Sequence, residues 1–219
     1  MKHKKILLTF GIVAGLTLFI LFSVTTLFSG FTQWAYITYL NSKIRTEFEV
    51  KDNELWMNKE INSKTYNQFV RILEKNPQVD TLVEVNVPGS IDDDTMIRLG
   101  YYVRKKGLKT KLLPHSSIDS GGVDLYLAGV ERIMEIAPGG KIPHIGVHSW
   151  GDGINQAKDY PKDAPEHVNN CTYIEKMLGR DDFYWYTIYA APADGIHEMS
   201  LDEIKKYGLV TEYVYHSAE

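Results

Sequence analysis

Three groups of residues beyond position 80 have the side chains and backbone that acyl-transfer chemistry requires. Ser120 comes before two glycines at the start of a predicted helix, where free backbone N–H groups can stabilise an oxyanion. His148 lies near the end of a predicted strand, from which its ring can act as a general base toward a serine. The tripeptide 88–90, Pro-Gly-Ser, follows the first clear strand. Each feature alone is common in loops and cores, so its meaning depends on whether the fold brings the three together.

The predicted elements alternate between helix and strand through the middle of the chain. In order, they are a helix over 63–75, a strand over 81–87, a helix over 92–106, a strand over 108–113, a loop over 115–120, a helix over 122–136 and a strand over 144–150. This alternation is typical of right-handed crossovers that build a parallel sheet covered by helices. Because the loops after parallel strands share one sheet edge, we expect Ser120, His148 and the tripeptide 88–90 to form one acyl-transfer site.

Two of the predicted helices carry specific signals. The helix over 92–106 opens with three aspartates and closes with Arg-Lys-Lys before Gly107, which suits the helix dipole and a glycine C-cap better than a calcium site. The helix over 122–136 has apolar residues at 123, 127, 130 and 134, at helical spacing.

The last third of the chain predicts four further segments. They are a polar loop over 151–165, a mostly helical, aromatic-rich stretch over 166–191, a short helix from the capping box Ser200–Glu203 to Gly208, and a strand over 209–216.

The first 30 residues predict a membrane anchor. Residues 6–30 contain no charge, and as a helix they would reach about 37 Å, enough to cross a hydrocarbon core of about 30 Å. The tail 1–5 holds three lysines, and the positive-inside bias keeps that end cytoplasmic and puts the C-terminal domain outside. A cleaved signal peptide is the alternative, but its apolar stretch usually runs about 7–15 residues.

Charge divides the chain in the same region. Residues 1–46 hold five basic residues and no acid, whereas the whole chain of 219 residues holds 24 basic and 28 acidic residues. The remainder therefore carries 19 basic against 28 acidic residues, a net charge of −9. This balance disfavours nucleic acid as a partner, because phosphate binding needs a basic surface. The single cysteine, Cys171, excludes an internal disulfide.

Three runs of the sequence resemble the proteolytic subunit of Clp protease and its relatives in the Clp/crotonase superfamily. They are VNVPGSIDDDTMIRLGYYV, LLPHSSIDSGGVDLYLAG and IGVHSW. In this resemblance the tripeptide 88–90 lies where the family has Pro-Gly-Gly, and Ser120 matches the nucleophilic serine. Ala128-Gly129 matches an Ala-Gly pair, and His148 matches the catalytic histidine. The ending MSLDEIKKYGLV is similar to the close of the family's sequences, so the resemblance covers roughly residues 53–214.

The resemblance implies an α/β fold, a Clp/crotonase-type spiral of β-β-α units with a parallel sheet, preceded by one N-terminal transmembrane helix. It also implies a serine hydrolase in which Ser120 attacks and His148 takes its proton. Backbone N–H groups of Ser90 (or Gly89) and Gly121 would hold the oxyanion. Ser90 departs from the family's second glycine, which keeps the donor but narrows the approach of a peptide strand. We expect glycine at position 121 to be harmless.

The acid of the triad is the weakest match to the family. The family's aspartate would fall at Ile196, and the nearest acid is Asp194, which we take as the orienting residue. His197 and Glu198 are the other candidates. Because a base without its orienting carboxylate loses much of its efficiency, the alternative to an active hydrolase is a catalytically weak or inactive binding module that keeps the fold.

Other chemistry fits the residues less well. A serine–lysine dyad would need Lys141, which lies in a predicted loop and is a poor candidate for a buried base. A zinc site from His115, His144 and His148 has no acid or cysteine at matching spacing. An acyl-CoA enzyme is disfavoured because CoA is scarce outside the cytoplasm. We therefore expect neither a metal nor a cofactor.

These inferences divide the chain into a cytoplasmic tail (1–5), a transmembrane signal-anchor (6–30), a juxtamembrane connector (31–52) and a Clp-like serine hydrolase domain (53–219). The predicted function is a membrane-anchored, extracytoplasmic serine peptidase or hydrolase that acts on a peptide or protein substrate. The aromatic run over 182–189 is apolar on every side, more than one core face can absorb, so it predicts a homo-oligomer.

Overall fold

The computed structural model describes residues 45–217. The predicted tail 1–5, the anchor 6–30 and most of the connector 31–52 lie outside the described residues. Within the described range, no helix is both long and apolar enough to cross a membrane.

Strands and helices alternate over residues 65–136, as the sequence pattern predicts for the middle of the chain. The strands are β1 (Glu47–Lys51), β2 (Glu54–Asn58), β3 (Thr81–Val87), β4 (Lys109–Asp119), β5 (Arg132–Ile136), β6 (His144–Val147), β7 (His197–Glu198) and β8 (Glu212–Tyr215). The helices are α1 (Thr65–Lys75), α2 (Asp93–Lys106), α3 (Gly121–Tyr126), α4 (Val168–Leu178), α5 (Asp182–Ala190) and α6 (Leu201–Tyr207). Short 3-10 turns lie at Ala157–Asp159 and Pro165–His167.

The strands form one open mixed sheet, whose main order is β1-β2-β3-β4-β5-β8. The β1–β2 hairpin is antiparallel, whereas the pairs from β2 to β5 and from β5 to β8 are parallel. Strand β6 pairs in parallel with the end of β4, and the short β7 pairs antiparallel with β6. The fold class is therefore mixed α/β, with the parallel centre that the predicted crossovers require.

Strand β4 divides between two neighbours. Its first half pairs with β5 through Thr110–Leu112, and its second half pairs with β6 through Ser117–Asp119. The register against β3 shifts between Glu84 and Asn86, at the point where the two halves meet. The end of β4 therefore leaves β5 and continues beside β6.

The register shift marks a bulge in β4, and a buried serine stabilises it. Ser116 Oγ accepts the N–H of Leu113 at 2.9 Å and donates to the carbonyl of Glu84 at 2.5 Å. Because the strand runs on to Asp119, the loop predicted over 115–120 is wrong. The polar run 115–117 suggested a loop, but pairing with neighbouring strands satisfies the backbone there.

The helix predicted over 122–136 is wrong beyond its first turns. Helix α3 ends at Tyr126, and β5 begins at Arg132. Met134, one of the apolar residues at helical spacing, is buried in this strand instead. Arg132 explains the change, because its Nε donates to the Leu209 carbonyl at 2.7 Å and so holds β5 beside the segment that leads into β8.

The remaining helices follow their sequence signals. In α2, the Asp92 carboxylate accepts the Thr95 N–H at 2.9 Å, and Gly107 takes the left-handed conformation after the last turn. The capping box Ser200–Glu203 begins α6. The aromatic-rich stretch is mostly helical, as predicted, and forms two helices because Gly179 ends α4 with a φ of 76°.

Strand β1 lies in the segment predicted as a connector. It pairs along its whole length with β2. Glu47 and Glu49 are exposed, while Phe48 and Val50 are partly buried against the core. The sequence has this same alternation of glutamates and apolar residues, and the sheet extends into the predicted connector.

Helix α3 packs directly against the end of β3. A Cβ atom on Gly122 would overlap the backbone carbonyl oxygen of Val87. Only glycine allows this approach, and it brings the tripeptide 88–90 beside the start of α3.

The first prediction concerns this contact. Gly122→Ala should lower the free energy of unfolding by about 3 kcal/mol, because the added methyl group meets backbone that has little freedom to move. Urea unfolding of the variant measures the loss. Gly139→Ala is the matched control, because its φ of 83° is strained but nothing lies within 4 Å of the added atom; it should cost about 1 kcal/mol. Equal losses in the two variants would contradict the packing argument.

Candidate active site

Ser120 lies in a strained turn between β4 and α3. Its φ of 51° and ψ of −121° are rare for a residue with a side chain. Its N–H donates to the Gly146 carbonyl at 3.0 Å, which ties the turn to β6. Strain of this kind costs about 1–3 kcal/mol and clusters at functional sites. The serine singled out by the sequence is thus held in a conformation that an ordinary loop does not need.

The tripeptide 88–90 packs against this turn. A Cβ on Gly89, whose φ is 138°, would lie 3.3 Å from Ser120 Cβ. A Cβ on Gly121 would lie 2.8 Å from Ser90 Cβ and 3.0 Å from Ser90 N. The packing therefore requires glycine at 121, which goes further than the expectation that glycine there is harmless.

Two backbone N–H groups beside this turn are free to bind an anion. Within residues 45–217, neither the Ser90 N–H nor the Gly121 N–H donates to a protein acceptor. The segment around Ser90 is fixed by Ile61, whose N–H donates to the Gly89 carbonyl and whose carbonyl accepts the Ile91 N–H, both at 2.9 Å. Fixed, unpaired donors beside a nucleophile are what an oxyanion hole requires.

His148 follows β6 and lines the same open cleft as Ser90, Ser120 and Asp194. Its Nδ1 lies 2.8 Å from the carbonyl oxygen of Ser149. Because a carbonyl only accepts, Nδ1 carries the proton in this contact, and Nε2 of the neutral ring is left to accept one. Among the described residues, no hydrogen bond joins this ring to the Ser120 hydroxyl. The structure thus places the predicted base in the cleft in the required tautomer. Its hydrogen bond to the Ser120 hydroxyl is not formed within the described residues.

Asp194 is exposed in the loop between α5 and β7. It lines the cleft with His148 but forms no hydrogen bond with that ring in the described part of the chain. The other candidates, His197 and Glu198, pair with residues outside the cleft. The orienting role of Asp194 stays a prediction, and the Ser149 carbonyl holds Nδ1 in this structure.

The sequence reasoning missed a second acid close to Ser120. Asp124 lies one turn into α3, and its N–H donates to the Ser120 carbonyl at 3.2 Å. Burial raises the pKa of its carboxyl to about 7, and the charge of Asp93 adds to the rise. Val123 and Leu125 on either side are buried, so the pattern indicated a core helix. The available signal was a lone acid within that apolar run.

Aromatic side chains build part of the wall beside Ser120. Trp150 Nε1 donates to the Tyr184 hydroxyl at 2.9 Å, and that hydroxyl lies 2.6 Å from Nδ1 of the buried His167. Burial raises the pKa of Tyr184 to about 12, so the hydroxyl stays protonated in these contacts. This chain of hydrogen bonds fixes the loop after β6 against α5.

A histidine–carboxylate contact joins the strands that lead to Ser120 and His148. His144 Nε2 lies 2.8 Å from Asp119 Oδ1, and His144 Nδ1 lies 3.4 Å from Glu198. Burial alone would lower the pKa of His144, but the hydrogen bonds and charges of the two carboxylates outweigh it and raise the pKa. The residue before the candidate nucleophile is thereby held against the start of β6.

The described geometry gives no support to a serine–lysine dyad or to a zinc site. Lys141 is exposed in the turn before β6 and does not line the cleft that contains Ser120. In the part of the chain that the structure describes, no three His, Cys, Asp or Glu side chains are grouped to hold a metal ion.

The second prediction uses the pKa of His144. Because folding raises this pKa, the protonated ring stabilises the fold below the unfolded value of about 6.5, and the contribution is lost as pH rises through the folded value. His144→Gln should therefore destabilise the fold more at pH 5.5 than at pH 9, measured by urea unfolding. Because the side chain is 32% exposed, solvent screening keeps the effect modest.

An independent measurement checks the cause. Asp119→Asn should bring the pKa of His144 down in an NMR titration, because the largest raising contribution comes from that carboxylate. A His144 pKa at or below about 6.5 in the unmodified chain, or a cost of His144→Gln that is the same at both pH values, would contradict the prediction.

The comparisons with known proteins concern the fold. No protein-family model and no curated protein matches the chain. Among solved structures, it is similar to a ClpP1 mutant from Listeria monocytogenes, with 18% identity and a TM-score of 0.51 over 75% of this chain and 92% of that one. It is also similar to a mutant of the 1510-N membrane-bound stomatin-specific protease, with 19% identity and a TM-score of 0.47 over 73% and 77% of the two chains. The described domain has a Clp-protease-like fold.

Proposed function

We propose that this chain is a membrane-anchored, extracytoplasmic serine peptidase or related hydrolase that acts on a peptide or protein substrate. The observation that carries the proposal is the strained turn at Ser120, packed against two unpaired backbone donors, the N–H groups of Ser90 and Gly121. A nucleophile and an oxyanion hole at adjacent positions are the shared requirement of acyl-transfer enzymes.

The residues then divide the reaction between them. Ser120 Oγ attacks the carbonyl carbon of the substrate, and its proton passes to Nε2 of His148. The N–H groups of Ser90 (or Gly89) and Gly121 bind the oxyanion that forms. When the C–N bond breaks, the leaving amine takes the proton from His148, and water hydrolyses the acyl-enzyme by the same route.

Among the described residues, Ser120 and His148 form no hydrogen bond with each other. This supports a second candidate, a catalytically weak or inactive binding module with the same fold. Catalytic hydrogen bonds are often long in resting sites and tighten with substrate. The strain at Ser120 favours the hydrolase, because a module that only binds gains nothing from a strained serine at this turn.

The location outside the cytoplasm is part of the proposal. It is supported by the uncharged run 6–30 and by the three lysines of the tail 1–5. It also implies chemistry that runs without cytoplasmic nucleotides, which agrees with a triad that needs no cofactor.

Assembly into a homo-oligomer stays a prediction. In α5, Phe183, Tyr184 and Ile188 are buried, while Tyr189 is 60% exposed. The core therefore absorbs more of the aromatic run than the sequence indicated, and the exposed end of α5 is the part that an oligomer contact would cover.

The third prediction tests the nucleophile. A fluorophosphonate probe should label the full chain, and Ser120→Ala should abolish labelling because the attacking oxygen is removed. Ser90→Ala is the matched control, since it removes a hydroxyl from the same cleft but keeps the backbone donor, and it should still be labelled. Labelling that is equal in the unmodified chain and the Ser120→Ala variant would remove Ser120 from the mechanism. Absence of labelling in both would favour the binding module.

The fourth prediction separates the two candidates for orienting His148. If the Ser149 carbonyl holds Nδ1, Asp194→Asn should slow fluorophosphonate labelling by less than about tenfold, whereas loss of a triad aspartate costs about four orders of magnitude. His148→Gln provides the scale for losing the base. A loss with Asp194→Asn as large as that with His148→Gln would assign the orienting role to Asp194.

A further inference from the structure

A cavity of about 50 Å³ lies beside Ser120, and a carboxyl group in its wall has no protein partner. Asp124 contributes that group. Its backbone carbonyl accepts the Tyr173 hydroxyl at 2.8 Å, but within residues 45–217 its side chain accepts no hydrogen bond and forms no ion pair. The side chain is partly buried, and the loss of hydration penalises its charge when no protein group compensates for it, so this group indicates a positive charge that arrives from outside the chain.

The charge of the cavity points the same way. Asp93 lines the cavity together with Asp124, and after burial its charge is the second cause of the raised pKa of Asp124. No lysine or arginine of the described residues lies in the wall, where His148 is the single basic side chain. A cation bound here would be attracted by two carboxylates and would relieve their mutual repulsion.

The size and the walls of the cavity select a slender cation. A volume of about 50 Å³ holds roughly four water-sized groups, which suits the end of an unbranched aminoalkyl chain better than a planar guanidinium. Val147, Ile174 and Phe183 also line the cavity, and apolar walls of this kind accommodate the methylene stem of a lysine.

We propose that this cavity is a specificity pocket for a lysine-type ammonium group, with Asp124 as its charged partner. The inference rests on the proposed function, because the pocket selects a substrate only if Ser120 attacks one. Asp124 lies one helical turn from Ser120, so a side chain bound there brings its own carbonyl group close to the nucleophile. Asp93 also accepts the Ser90 hydroxyl at 2.5 Å, which links the pocket to the proposed oxyanion hole.

The test compares two diphenyl phosphonate probes that differ only in their side chain, one with the aminobutyl group of lysine and one with the butyl group of norleucine. Each would phosphonylate Ser120 with loss of phenol. On the full chain, the lysine probe should react about thirtyfold faster than the norleucine probe. Asp124→Asn should remove about thirtyfold from the lysine rate and leave the norleucine rate within about twofold.

Asp94→Asn is the matched control. It removes the same charge from an exposed residue of α2 that does not line the cavity, and both rates should stay unchanged. Equal rates for the two probes on the unmodified chain, or a lysine preference that survives Asp124→Asn, would overturn the pocket assignment and leave the proposed hydrolase intact.

A binding measurement separates failure of the pocket from failure of the proposed function. In the Ser120→Ala chain, n-butylammonium should perturb the carboxyl ¹³C signal of Asp124 and lower its pKa, and Asp124→Asn should abolish the binding. If neither probe labels Ser120 but the amine still binds, the hydrolase proposal fails and the cation site stands. If the probes react but the amine leaves the Asp124 signal unmoved, the pocket assignment fails.

Discussion

The division of β4 between two neighbouring strands, β5 and β6, is the constraint on which the candidate site depends. Its first half stays in the main sheet beside β5, while Ser117–Asp119 pair with β6. The pairing continues in the hydrogen bond from the Ser120 N–H to the Gly146 carbonyl. Ser120 and the strand that leads to His148 are therefore parts of one hydrogen-bonded frame. The contact between Asp119 and His144 reinforces this frame from the side chains.

Several features around Ser120 work against stability rather than for it. The backbone strain at Ser120 costs about 1–3 kcal/mol, the N–H groups of Ser90 and Gly121 are unpaired, and Asp124 places a carboxyl group where burial penalises its charge. Packing in the surrounding core stabilises these features, above all at Gly122, where α3 packs directly against the end of β3. Costs that collect around one residue, in a domain where α2 and α6 begin at capping side chains, are the physical sign of a functional site.

Local signals in the sequence were sufficient for the elements that depend on local physics. Helix α2 begins at its aspartates and ends before Gly107, and β3 spans the residues predicted for it. The rule that parallel strands share an edge was enough to bring Ser120, His148 and the tripeptide 88–90 together. The bulge in β4 could not be predicted, because it depends on a hydrogen bond between Ser116 and β3, 32 residues away. The raised pKa of Asp124 was hidden for a related reason, since the cavity beside it is lined by residues from α2, β6, α4 and α5.

His148 is held by the neutral carbonyl group of Ser149 rather than by a carboxylate, and this affects the role of the charged side chains around the cleft. A carboxylate behind Nδ1 would stabilise the imidazolium that forms during proton transfer, whereas the Ser149 carbonyl fixes the tautomer but contributes only a dipole. Asp93 and Asp124 line the same cavity as His148, but in the proposed pocket their charge serves the substrate rather than the ring. A bound ammonium group would pair with these carboxylates while the substrate is held in position for attack. Selection of the substrate therefore depends on charged side chains, whereas orientation of the base depends on a backbone dipole, so substitution of Asp124 separates the two.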